Sequence, residues 1–244
     1  MKRFFQNNPF AIIMIALLAF RAVMGGEIFS DPLGWLLNQL LMIPAIIIGI
    51  TFHEFSHAFV AYKLGDMTPK FQRRVNLNPV RHMDPVGFIA LIAIGFGWGR
   101  PVEVNPYAFR RRRLSNFLVD IAGVTMNFIL ALLFMGVVKL IYVQGFSFMP
   151  YAALPIIIRI VYNIVSINLV LMIFNLLPVP PLDGFGVITE IFNLRDKPFY
   201  HRLYSLGFPI LMALIFFNIT GMILTPAVNG LMNFLMLIWF GGAL

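Results

Sequence analysis

WLLNQLLMIPAIIIGITFHEFSHAFVAYKL, residues 35–64, decides the fold class. Its first nineteen residues carry no Asp, Glu, Lys or Arg. As a helix it would run for about 45 Å, against a bilayer hydrocarbon core of about 30 Å. It reads as a membrane span, with a polar cluster, His53, Glu54, Ser56 and His57, in its C-terminal half.

The same pattern recurs outward from it. Phe10–Met24 reads as a first, uncleaved span behind Lys2 and Arg3, and Leu114–Tyr142, Leu154–Leu177 and Leu203–Leu224 as further spans. Leu231–Phe240 is a short last one, of interfacial length. The 244 residues are 60% hydrophobic and only 11% charged, which excludes an ordinary soluble domain. The expected fold is an all-α polytopic membrane protein of about six helices in a single domain, residues 1–244, with its functional core at about 35–190. No internal repeat is visible. The chain has no cysteine, so any soft-metal site has to be built from His and carboxylates.

Residues Lys63–Arg113 interrupt the apolar pattern with ten basic residues and prolines at 69, 79, 85, 101 and 106. Val86–Trp98 inside this stretch is apolar and glycine-rich but too short to cross, so it reads as re-entrant or as a β-hairpin. The Pro- and Gly-rich run 68–105 could offer a strand edge to a partner segment. Two basic residues precede the first span, ten lie in Lys63–Arg113 and three in Arg195–Arg202, fifteen of the eighteen Lys and Arg. All fall on one side if Val86–Trp98 does not cross. The positive-inside rule then puts the N-terminus, the basic loop and the Asp183 region in the cytoplasm, in a multi-pass protein of the cell membrane. The formal net charge of +8 therefore reflects topology and contact with membrane lipids rather than nucleic acid.

His53 and His57 are one helical turn apart and can aim both imidazoles at one ion, with Glu54 beside it, the H-E-x-x-H arrangement. Ionisable groups at mid-membrane depth cost about 2.5–3.5 kcal/mol each on insertion scales, so such a cluster reads as functional rather than as polar glue between helices. Ala45, Gly49 and Ala61 share the histidine face and leave room for a neighbouring helix. A catalytic zinc takes three protein ligands and an open position. Candidates for the third are Asp120, Asp183 and His82. Asp183 follows prolines 178, 180 and 181 in NLLPVPPLDG, where a broken helix leaves space for a polar site; its plainer reading is a helix N-cap. Asp120, two turns before Asn127 on a stripe that includes Gly123, reads as a ligand or as a hydrogen-bonding support.

Several separated motifs together resemble the site-2 protease family of intramembrane metalloproteases, in its compact form without a PDZ domain. HEFSH matches that family's H-E-x-x-H, and Asn175, Pro178, Asp183 and Gly184 match N-x-x-P-x-x-x-x-D-G. LNPVRHMDPVG (77–87) and GRPVEVNP (99–106) are also similar, and the likeness extends over most of Ala45–Gly184. The resemblance implies one zinc per chain on His53, His57 and Asp183, with Glu54 as the catalytic carboxylate. It implies an assisting role for Asn127 in AGVTMN, where Val124 stands in place of the family's proline, and a supporting or substrate-binding role for Asn175 and Asp120. The implied reaction is hydrolysis of peptide bonds in or near transmembrane segments of single-span or other membrane proteins. Two other classes fit the same His and Asp residues: a metal transporter, and a non-catalytic relative that binds membrane helices.

Overall fold

The computed structural model describes Ala16 and residues 30–144 and 153–241. Apart from Ala16, the expected first span lies outside the described residues. Five of the described helices are long and apolar enough to cross a membrane: α1 (Pro32–Lys63), α5 (Arg112–Gln144), α6 (Leu154–Asn175), α8 (Pro198–Phe216) and α9 (Ile219–Phe240). Short helices α2 (Thr68–Phe71), α3 (Pro79–His82) and α4 (Pro85–Ile94) lie between α1 and α5, and α7 (Asp183–Phe192) between α6 and α8. The chain is a multi-pass membrane protein.

Pro79 and Pro85 of the basic loop start helices. Asn78 and Asp84 each stand before a proline at the first helical position and accept hydrogen bonds from the next free amides, Val80 N at 3.1 Å and Val86 N and Gly87 N at 3.0 Å. Asp31–Pro32 opens α1 in the same way. A carboxylate or amide cap followed by proline favours helix on both counts, because the capped amides are satisfied and the proline's fixed φ suits the first turn. This corrects the β-hairpin alternative for Val86–Trp98. Residues 85–94 form α4, Gly95 ends it in a left-handed conformation (φ 70°), and the chain returns beside it. The described residues contain no strand, only an isolated antiparallel bridge between Met83 and Gly99.

A second boundary also differs from expectation. The chain turns at Asn218, which adopts φ 58°, rather than near Pro226, which sits inside α9. Apolar helices accept an interior proline when neighbours cover the freed carbonyl. Leu231–Phe240 is therefore the second half of a 22-residue helix of spanning length, not a separate short segment.

Helices α1, α5 and α6 pack mutually, with α7 on α5 and α9 on α5 and α6. Ala45, Ala58 and Ala61 of α1 are fully buried, so the small residues on the histidine face do admit close neighbours. The apolar core lies toward the end of the bundle opposite the loop, where Ala131, Met135 and Val138 of α5 meet Val161, Val165 and Leu169 of α6 and Met232 and Leu235 of α9. The indole of Trp239 ties α9 to α5 by donating to the Leu132 carbonyl at 3.1 Å. Polar side chains gather at the other end of the α1–α5–α6 contact.

Leu169 is wholly buried and Leu140 is half exposed, on the outer surface of α5. Leu169→Ala should lower stability by about 2–5 kcal/mol through the cavity it leaves. Leu140→Ala should change it by less than about 1 kcal/mol, with denaturant unfolding in detergent as the check.

Candidate metal centre

Two elements bring three ligand atoms together. His53 and His57 come from the buried face of α1, and Asp183 is the first residue of α7. The two Nε2 atoms are 3.1 Å apart and each lies 3.3 Å from Asp183 Oδ2. Donors about 2.0–2.2 Å from a tetrahedral zinc-sized ion are separated by roughly 3.3 Å, so the triangle has the size of one face of such a site.

Hydrogen bonds fix the protons. Asn127 Nδ2 donates to the Gly49 carbonyl (3.2 Å) and to Asn168 Oδ1 (2.8 Å), which settles its orientation and leaves Oδ1 as an acceptor. His53 Nδ1, 2.7 Å from that oxygen, must carry the proton. His57 Nδ1 lies 2.7 Å from the Val119 carbonyl, which can only accept, so it too is protonated. Both Nε2 atoms then turn lone pairs toward Asp183 Oδ2, which is buried with no hydrogen-bond partner. Three electron-rich atoms facing one another at this range need positive charge between them, and a divalent cation satisfies all three at once. The residues fit a metal ion.

Two glycines make the geometry accessible. A Cβ on Gly123 would fall 2.4 Å from His57 Nε2 and 2.6 Å from His53 Cε1, so only a bare α-carbon lets α5 pass over the imidazoles. A Cβ on Gly184 would meet the Leu176 carbonyl oxygen at 2.2 Å, so this glycine lets α7 start directly against the end of α6. Leu182 occupies the N-cap position and Asp183 lies inside the helix, which answers the N-cap reading of Asp183. The far end of α7 is anchored by Glu190, whose Oε1 accepts from Asn116 Nδ2 (3.1 Å) and Arg195 Nε (3.1 Å).

Glu54 stands beside the triangle but points into the basic loop. Its Oε2 accepts from Val102 N at 3.2 Å and lies 3.6 Å from Arg74 Nη2. Asp120 is carried by α5 to the next turn of α7, where its carboxylate faces the bare α-carbon of Gly186 and takes no place in the triangle. Asn175 donates to the Leu171 carbonyl of its own helix (2.9 Å) and does not reach the ligands. His82 is fully buried in the loop, with its Nε2 2.6 Å from the Asn76 carbonyl, and burial pushes its pKa down. It is outside the cluster. Sequence reading missed Asn168, Val119, Glu190 and Arg74; an Asn in the middle of an apolar span was the available signal for Asn168.

The family model for peptidase family M50 matches residues 41–218. This protein belongs to that family and is a metalloprotease. It is 38% identical to "Putative zinc metalloprotease YwhC" of Bacillus subtilis (strain 168) over 77% of this chain and 85% of that protein. It is 26% identical to "Putative zinc metalloprotease Rip2" of Mycolicibacterium smegmatis over 92% of this chain and 83% of that protein. No solved structure matches the chain.

Gly123→Ala should abolish metal binding while leaving helix content unchanged, read by metal analysis and circular dichroism on the same sample. Asn127→Ala, which removes the acceptor for His53 Nδ1, should weaken metal affinity about 10- to 100-fold.

Proposed function

We propose that this protein is a zinc-dependent intramembrane endopeptidase that cuts membrane-protein substrates in or near their transmembrane segments. The observation that carries the reading is the His53–His57–Asp183 triangle, with Glu54 adjacent, built among helices of membrane-spanning length. Family membership and the relatives' printed names support zinc and proteolysis. A bound zinc ion supplies Lewis-acid polarisation and lowers the pKa of water at the site.

In this reading His53, His57 and Asp183 hold the ion, the imidazoles through Nε2. Glu54 moves the proton: its carboxylate takes one from the attacking water and delivers it to the leaving amine nitrogen. Asn127 acts as a positioning residue. Both hydrogens of its amide are engaged by Gly49 and Asn168, so its contribution is to hold the His53 ring through Oδ1 rather than to donate to a developing oxyanion. Asp120, on α5, supports the site from beside Gly186 of α7. A transporter reading gives no role to Glu54.

The basic loop and the start of α7 close the same end of the bundle. By the positive-inside rule that end is cytoplasmic, and water and substrate reach the site from there. A helical substrate has to unwind locally, because its peptide carbonyls are engaged in its own hydrogen bonds.

Glu54→Gln should retain one zinc per chain and lose cleavage of single-span membrane peptides by a factor of about 10² to 10⁴. Asp183→Ala should lose both zinc and cleavage. Cleavage by Glu54→Gln at the wild-type rate would overturn the assignment.

A further inference from the structure

Arg74 is one of ten basic residues in the Lys63–Arg113 loop and is 4% exposed. Its guanidinium joins three separate pieces of chain: Nη1 donates to the Arg81 carbonyl, Nη2 donates to the Arg100 carbonyl, and Nη2 also faces Glu54 Oε2 at 3.6 Å. The two carbonyls satisfy N–H groups but do not neutralise the charge. A buried guanidinium needs an anion, and among the described residues the one carboxylate ion-paired with Arg74 is Glu54. Glu103, the nearest acidic residue in sequence on that return segment, accepts instead from Gln72 Nε2 at 2.6 Å.

The same segment grips Glu54 from two more directions. Val102 N donates to Oε2, and Oε1 faces Gly99, where an added Cβ would come within 3.2 Å of it and within 2.9 Å of Ile50 Cγ2. The antiparallel bridge at Met83 and Gly99 and the Arg100 N to His82 carbonyl bond (2.8 Å) hold that return in place. The orientation of the carboxylate is therefore set by the loop and not by α1, which carries it. Arg74 and Val102 both take Oε2, leaving Oε1 to face the bare α-carbon of Gly99.

We infer that Arg74 is a positioning residue for the reaction: its guanidinium fixes the Glu54 carboxylate with Oε2 engaged and Oε1 presented for proton transfer. This rests on the proteolytic reading above. Arg74 contacts none of the three metal ligands in this arrangement, so its removal acts on turnover and not on metal loading.

The test uses the full chain in detergent with the best-cut peptide of a single-span panel. Arg74→Ala should keep its zinc and its KM and lose kcat about 10- to 100-fold. Arg74→Lys should recover part of the loss, because a lysine restores the charge but not the planar fork. Free guanidinium, at concentrations well below those that unfold the protein, should restore turnover to Arg74→Ala and not to Glu54→Gln. Gly99→Ala, which presses on Oε1 from the opposite side, should also lower kcat with metal retained. Wild-type turnover in Arg74→Ala or Gly99→Ala overturns the inference, as does a loss that brings metal loss or resists guanidinium. A wild type that does not cut, or a Glu54→Gln that cuts equally well, instead overturns the proteolytic reading beneath it.

Discussion

The site depends on two hydrogen bonds made away from the metal position. Nδ1 of His53 is held by Asn127 Oδ1 and Nδ1 of His57 by the Val119 carbonyl, both on α5 and both at 2.7 Å. Each bond fixes a tautomer and turns an Nε2 lone pair toward Asp183. With those bonds, two imidazoles and a carboxylate form a preformed ligand face. Without them the rings would be free to rotate and to exchange protons, and the positive charge that Asp183 requires could come from an imidazolium. Helix α5 is thus the template against which the ligand helix is set, and its closeness to α1 follows from Gly123 and the buried alanines of α1.

Two further connections extend that template. Asn127 reaches Asn168, which donates on to the Ile164 carbonyl at 2.8 Å, so α1, α5 and α6 share one buried polar node. Glu190 holds the distal end of α7 to α5, while Gly184 presses its start against α6. Satisfied polar networks of this kind specify one arrangement of helices where apolar packing in lipid alone is less selective. Apolar core and polar site therefore occupy opposite ends of the α5–α6 contact, the core completed by α9 and the site by α1, and the loop that closes the polar end also contacts Glu54.

Much of this was legible in the sequence because it is local. HEFSH places two imidazoles one turn apart whatever surrounds them, and NLLPVPPLDG announces a broken helix before a carboxylate. The spans follow from uncharged apolar length. What escaped was long-range or made by the backbone. The Val119 carbonyl leaves no side-chain signature, and which of ten basic residues turns inward at Arg74 depends on the path of the loop. The helical identity of 85–94 was readable from Asp84–Pro85, a cap and a first-turn proline, but its glycines and short length pointed toward strand. Asn127 was found, yet its orientation depends on Asn168 forty-one residues on, a pairing with no local signature.

The most direct test of the metal centre is X-ray absorption at the zinc edge on zinc-loaded protein in detergent. The account predicts a four-coordinate light-atom shell at about 2.0–2.1 Å with the outer-shell scattering of two imidazoles and one carboxylate. A spectrum showing six oxygen ligands, or no imidazole scattering, would contradict it.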